Sequence, residues 1–327
     1  MKDEILVSIC CLTYNQEKYI KDALEGFLMQ KTNFKYEIII HDDASNDNTA
    51  NIIREYEEKY PNIIKPIYQK ENQYSQGKWS LITTFNNAKG KYIALCEGDD
   101  YWIDENKLQL QVDYMEKNPN CTLLFHNAKI IDMLNNKESN FVPYNKVAKK
   151  YIKKDGNYNV GELELIEFIP TASYMFRRRY VMDIPEWFEN CFVQDWPLRL
   201  ILTSFGYAHF VDKKMCIYRK NAQGSVTVEN TNKGNESNKG MLEILDKKKF
   251  CVTKIDEFTD YKYHDIFEKR LLQYEVEKLF YTGKGKEIIK KRYVKYIPEK
   301  RIRFILKIYF PSIMKTLKMI KEKIKKV

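Results

Sequence analysis

The sequence predicts an α/β fold with a mostly parallel sheet flanked by helices, on three observations. Short apolar runs alternate with amphipathic helical stretches through the first half of the chain. Strands separated by helices are joined by crossovers, which set them parallel. The runs at 36–41 and 92–96 are apolar almost throughout, as in strands covered on both faces. Three runs end in polar residues able to do chemistry, at 13–15, 42–43 and 97–100. Ligands of such sheets bind beyond the carboxyl ends of the strands, so the three ends converge on one pocket.

Taken in order, 5–12 (ILVSICCL) is a strand, followed by a turn at Thr13, Tyr14 and Asn15. Ile20, Leu24, Phe27 and Leu28 fall on one face of a helix. The second strand, 36–41 (YEIIIH), runs into Asp42, Asp43 and a stretch of turn and cap residues up to Thr49. Ile52, Ile53, Tyr56 and Tyr60 mark a helix stopped by Pro61. A weaker strand at 63–69 and a helix at 80–88 precede the strand 92–96, which follows a turn at Gly90. Leu108, Val112 and Met115 share a helical face that ends before Pro119. Beyond it, 122–126 is a strand, 129–159 is polar and irregular, 161–168 is a short helix, and 171–177 is a strand. Gln194, Asp195 and Trp196 open a helix carrying Leu198, Ile201, Leu202 and Phe205, with Gly206 in the position of a C-terminal cap. Strands at 208–211 and 215–218 close the domain, and Arg219 follows.

The chain has 327 residues with 44% hydrophobic and 14% aromatic content, ample for a packed core. The expected organisation is a catalytic domain over 1–227 and a helical, basic region over 228–327. The start lacks a signal-peptide pattern, and no run of 18 or more uncharged apolar residues occurs. Seven Cys without zinc-type spacing read as reduced thiols of a cytoplasmic protein, and the four His are scattered. Net charge is +10, but residues 284–327 alone carry sixteen Lys and Arg against three Glu. That segment is therefore +13 and the other 283 residues about −3. A near-neutral body argues against nucleic acid as a partner. The tail interleaves Ile302, Phe304, Ile305, Leu306, Ile308, Tyr309 and Phe310 with Lys and Arg. Two expectations have nearly equal weight here: a segment lying on an anionic membrane surface at the inner face of the cell membrane, or a helix packed on the domain with a solvated basic face.

The chemistry concentrates in AKGKYIALCEGDDYW, residues 88–102. Glu97, Asp99 and Asp100 arrive within four residues at the end of a strand, with Gly98 between them. Carboxylates this close repel unless a positive group sits among them. A divalent cation carrying phosphate oxygens answers that need, because Mg²⁺ takes one or two carboxylates plus substrate phosphates. An isolated aspartate pair is more often a solvated turn; the preceding strand and the aromatic pair Tyr101–Trp102 favour the metal–phosphate reading. Asp42 or Asp43 would then lie near a base or ribose. Both the G-x-G-x-x-G fingerprint and the P-loop are absent, which counts against a dinucleotide oxidoreductase and a P-loop NTPase. On spacing alone Asp195 reads as a helix cap and Arg219 as a surface ion-pair residue, while Lys78, near Gly77, reads equally as a phosphate contact or as solvated.

Five ordered motifs change that balance: VSICCLTYN, EIIIHDDASNDNT, GKYIALCEGDDYW, QDWPL and IYRKNAQGS. Over about residues 7–225 the chain resembles the family 2 inverting glycosyltransferases of the GT-A fold, the type that builds bacterial cell-surface polysaccharide. The resemblance implies a Rossmann-like sheet and a hexosyl- or hexosaminyl-transferase. Its donor would be a nucleotide-sugar, with uridine as the base, and its acceptor a glycan or lipid-linked glycan. By the same resemblance Thr13, Tyr14 and Glu17 line the nucleobase site, and Asp42 and Asp43 supply a base contact. Glu97, Asp99 and Asp100 match the D-x-D region for Mn²⁺ or Mg²⁺ and the sugar-diphosphate. Asp195 matches the general base, Trp196 the acceptor-side aromatic, and Arg219 a basic residue near the diphosphate. Where many relatives carry His after this Arg, Asn221 stands here.

Two rival readings keep the fold. A sugar-phosphate nucleotidyltransferase should carry a Gly- and basic-rich loop after the first strand, and TYNQE at 13–17 is not one. A non-catalytic nucleotide- or sugar-binding protein should have lost an essential carboxylate, yet Asp99, Asp100 and Asp195 are all present.

Overall fold

Strand β1 (Ile5–Thr13) is flanked by β2 (Lys35–Asp42) and β4 (Tyr92–Leu95), both parallel to it, and β3 (Ile64–Tyr68) adds in parallel beyond β2. The computed structural model describes residues 4–78, 80–144, 150–152, 155–225, 238–289 and 293. Among them β5 (Tyr101–Trp102), β6 (Cys121–Asp132), β7 (Lys137–Asn140), β8 (Asn157–Tyr158), β9 (Met175–Arg177) and β10 (Tyr207–Lys220) complete one sheet. Its order is β3-β2-β1-β4-β9-β6-β10-β5, with β7 on β6 and β8 on β10. The pairings give β1, β2, β3, β4, β6 and β10 one common direction, and the four short strands oppose it. Helices α1 (Ile20–Leu28), α2 (Thr49–Lys59), α3 (Ser80–Asn87) and α4 (Lys107–Lys117) form the crossovers and bury their apolar faces.

One polar post stands inside this apolar layer. Ser8, fully buried in β1, donates from Oγ to Glu37 Oε1 at 2.6 Å and accepts the Gly90 N–H at 2.8 Å. Glu37 Oε1 also accepts the Lys89 N–H at 2.8 Å. The bonds pull the turn before β4 onto β1, which is why Gly90 has no side chain. A Cβ there would lie 2.5 Å from Ser8 N and 2.7 Å from Val7 C.

Several elements differ from the sequence expectation for identifiable reasons. β6 runs past 126 to Asp132, because β10 pairs along its whole length. The two closing strands are one, β10, interrupted by an irregularity between Val211 and Cys216. Thr171–Ser173 is a 3₁₀ turn, so only Met175–Arg177 is strand. The region 129–159 contains β7, the short helix Phe141–Tyr144 and β8. Helix Val160–Glu164 starts one residue early, on a capping box in which Asn159 and Glu162 exchange bonds. Gly206 is not in the left-handed conformation of a C-terminal cap; a Cβ would meet Asn120 O at 2.2 Å, so close packing requires it.

The chain divides into two compact units, Met1–Asn230 and Thr231–Val327. In the second, the helical stretch is two helices, Asn238–Phe258 and His264–Tyr281. They are separated by a turn in which Asp260 and Tyr261 adopt positive φ. His264 Nδ1 lies 2.6 Å from the buried Asp256 Oδ2 across that turn. In the sequence 230–238 (NTNKGNESN) reads as a polar linker; Asn238 instead opens the first of these helices, and 230–237, like the basic apolar run around 302–310, lies outside the described residues. Among the described residues no helix is long and apolar enough to cross a membrane.

Substituting Gly90→Ala should lower stability by about 1–3 kcal/mol, since the new methyl meets backbone rather than a movable side chain. A shifted denaturant midpoint with an unchanged slope is the expected result.

Candidate active site

The ends of β2 and β4 are stitched to the end of β1. Asp42 pairs with Thr13 in register, and Thr13 O accepts the Asp43 N–H at 3.0 Å. Leu12 O accepts the Gly98 N–H at 2.9 Å. Gly98 has no positive φ; a Cβ there would come 2.4 Å from Gln16 Oε1 and 2.8 Å from Thr13 Oγ1. Both oxygens are buried without a hydrogen-bond partner among the described residues. The glycine thus lets two unsatisfied polar groups of the β1–α1 loop press against the carboxylate turn.

The carboxylates at the end of β2 are held by the protein. Asp42 Oδ1 accepts from Ser45 Oγ at 2.5 Å. Asp43 accepts the N–H groups of Gln73 at 2.8 Å and Tyr74 at 3.0 Å, one on each oxygen. Glu17 accepts the Asn48 N–H at 2.9 Å at the start of α2, and the Tyr14 carbonyl faces Gly224. A cavity of about 300 Å³ opens beside these loops, lined by Asn15, Glu17, Tyr19, Asp47 and Gln223 among others. That volume is at the small end for a ligand site.

In the β4 turn Asp100 is 2% exposed, and its Oδ1 accepts the Arg219 N–H at 2.8 Å. Arg219 Nη1 donates to Asp99 O at 3.0 Å, and Nη2 donates to Asp22 of α1. The guanidinium lies over the rings of Tyr101 and Tyr19, 4.4 and 5.1 Å from their centroids. Arg219 therefore clamps the turn between β10 and α1. Burial pushes Glu97 up to about 8, and the charges of Asp99 and Asp195 add to the effect. Burial also pushes Asp99 up to about 6 against the Arg219 charge and a Gln16 hydrogen bond. Asp100 is raised well above the usual range by burial and by both neighbours. Among the described residues no three His, Cys, Asp or Glu side chains form a ready metal cage.

Asp195 is the first residue of helix Asp195–Ser204, not its cap; Gln194 is the N-cap residue and makes no side-chain capping bond. Both polar atoms of the Gln194 side chain are buried without a partner among the described residues. Burial raises the Asp195 carboxyl against the charge of Arg199 and hydrogen bonds from the helix-start amides of Trp196 and Asp195. Its charge is among the influences that raise Glu97. Trp196 Nε1 donates to the buried Glu164 at 2.8 Å. Asn221, at φ 60, donates to Asp132 Oδ1 at 2.9 Å.

The fold thus brings Thr13, Glu97, Asp99, Asp100 and Asp195 to one edge, with Arg219 behind the turn. Asp42, Asp43 and Glu17 are engaged by loop amides and Ser45, while Trp196 is tied to Glu164. Sequence reasoning missed Gln16, Asp22, Thr171 and Arg199. The Thr171 side chain is among the groups that hold the Glu97 carboxyl down. Only Arg199 left a readable signal, its i, i+4 spacing from Asp195.

The sequence model described as "Glycosyl transferase family 2" matches residues 8–184, more than half of the chain. An uncharacterised protein of Mycobacterium bovis is 37% identical over 219 residues, 67% of this chain and 60% of that one. An Escherichia coli protein, UDP-Glc:alpha-D-GlcNAc-diphosphoundecaprenol beta-1,3-glucosyltransferase, is 31% identical over 165 residues, 50% of this chain and 60% of that one. The chain spans about 60% of the length of these curated relatives. Staphylococcus aureus TarS 1-349, solved in complex with UDP-GlcNAc, has a similar fold at TM-score 0.61 and 16% identity, covering 93% of this chain and 82% of that one.

The Glu97 shift sets a pH dependence. Its native pKa of about 8 exceeds the ordinary 4.5, so the native state holds the extra proton and stability falls as pH rises between those values. Glu97→Gln should melt above the unsubstituted protein at pH 8 and together with it at pH 4; thermal melts at the two pH values check this.

Proposed function

The chain belongs to glycosyltransferase family 2, and from that membership we propose that it moves a sugar from a nucleotide-sugar to a hydroxyl of a glycan or lipid-linked glycan, with inversion. The observation that supports the reading is that two carboxylates are near enough to influence each other, Asp195 in the first turn of its helix and Glu97 in the turn after β4. Asp195 accepts the proton of the acceptor hydroxyl as its oxygen attacks the anomeric carbon. The bond from that carbon to the diphosphate breaks, and the electron pair leaves with the diphosphate.

Asp99 and Glu97 would hold a divalent cation, Mn²⁺ or Mg²⁺, with diphosphate oxygens completing its shell. The donor set fits, since two carboxylates raised by burial and mutual repulsion gain most from a cation. When bound, the cation supplies Lewis-acid stabilisation of the departing diphosphate. Asp100 fixes the turn through the Arg219 amide, and Arg219 adds positive charge behind it. Thr13 Oγ1 and Gln16 Oε1, unpartnered beside Gly98, offer polar contacts to the donor. The names of the Escherichia coli relative and of the TarS complex support a UDP-sugar and a role in cell-surface polysaccharide synthesis. The basic segment 284–327 supports peripheral attachment to an anionic membrane surface.

Thermal melts with UDP should rise when Mn²⁺ or Mg²⁺ is added, because a ligand of the native state stabilises by mass action. Asp99→Asn should lose the cation-dependent part, whereas no shift with any nucleoside diphosphate would sink the donor assignment. Asp195→Asn should keep the shift and lose turnover by about 100-fold or more, the usual size of a general-base contribution; release of UDP from UDP-sugars measures it.

A further inference from the structure

Arg199 is 0% exposed, among the largest fully buried side chains of the molecule. Its Nη2 donates to the Ile166 carbonyl, a neutral group, and its Nε has no hydrogen-bond partner among the described residues. A guanidinium cannot shed its proton, so this is a permanent charge in a low-dielectric interior. Such a charge is tolerated only with compensation. Asp195 lies four residues earlier on the same helix, hence on the same face one turn away. Tyr174, whose buried hydroxyl feels the guanidinium, and Glu97, which feels the Asp195 charge, are the other titratable groups near the pair. Glu164 accepts the hydrogen bond of Trp196 Nε1.

We propose that Arg199 is a positioning residue for Asp195: an internal positive charge one helix turn away, anchored on the Ile166 carbonyl, that acts on the base carboxylate through its field and not through a direct ion pair. The electrostatics agree in direction, since Arg199 is the largest influence opposing the burial of that carboxyl. The sequence around it gives the anchor its rigidity. Arg199 sits mid-helix between the buried Leu198 and Leu200, and its own carbonyl accepts the Thr203 hydroxyl at 2.7 Å. The role rests on the reading of Asp195 as the base, and the test separates the two.

Thermal melts of the full chain near neutral pH would compare Arg199→Gln and Arg199→Lys in the unsubstituted and Asp195→Asn backgrounds. Gln keeps a donor for Ile166 but loses the charge; Lys keeps the charge. With Asp195 present, the Gln variant should melt roughly 5 °C or more below the Lys variant. In the Asp195→Asn background that gap should close or reverse, because the charge no longer has a partner. A Gln variant that folds only in the Asp195→Asn background supports the pairing equally. The same gap in both backgrounds, or failure to fold in both, overturns it. UDP release from UDP-glucose and UDP-N-acetylglucosamine adds a second readout. Arg199→Gln should lose about tenfold or more in kcat with donor KM unchanged, and Arg199→Lys should recover most of it. Full turnover by Asp195→Asn would overturn the base reading, and with it the service Arg199 renders; an inactive Asp195→Asn with an unchanged Gln-to-Lys gap overturns the Arg199 assignment alone.

Discussion

Crowding carboxylates at one low-dielectric edge is the constraint that organises this structure. Each must be bonded, compensated or protonated, because an isolated buried charge is expensive. The fold treats them differently. Asp43 is satisfied by two backbone N–H groups, and Asp100, raised by burial and by its neighbours, is tied to the turn by the Arg219 N–H; both serve as joints. Glu97 and Asp99 are left raised and repelling. Asp195 is balanced by a helix start and a buried cation. The unsatisfied members are the ones placed where a cation and an acceptor hydroxyl would meet, in keeping with the tendency of perturbed carboxylates to mark functional sites.

The turn that carries three of these acids is positioned from both sides. Arg219 reaches over it from β10 to α1, joining three parts of the chain nearly 200 residues apart in sequence. Beneath, Trp102 packs edge-on against Phe27 and donates from Nε1 to Ala172 O at 3.0 Å. Ala172 is next to Thr171, whose side chain acts on Glu97, so the indole holds the loop beside the acid. Lys107 lies over the same indole at 3.9 Å, fully buried, and donates to Gln111 Oε1 at 2.8 Å. Burial pushes that lysine down to about 7. The aromatic pair after the acids is therefore a support for the turn.

Much of this was legible along the chain. The apolar runs at 5–12, 36–41 and 92–96 read as buried strands, and in the structure the first pairs with both of the others. The polar strand ends named the edge where the site forms. Interior details were not legible. Ser8 and Glu37 look like ordinary strand residues until the fold brings Gly90 onto them. Gly206 looks like a helix cap, but its reason is the Asn120 carbonyl, 86 residues away in sequence.

The sequence by itself determined the α/β class, the common direction of the main strands and the carboxylates that gather at their ends. Those depend on local periodicity and on the short reach of each crossover, which a linear reading can see. Tertiary structure alone decided which acids are joints and which remain available. It set Arg219 against Asp22, Trp196 against Glu164, and Arg199 on the Ile166 carbonyl. The physical reason is that burial and counter-charge fix the state of an acid, and both come from residues far away in the chain.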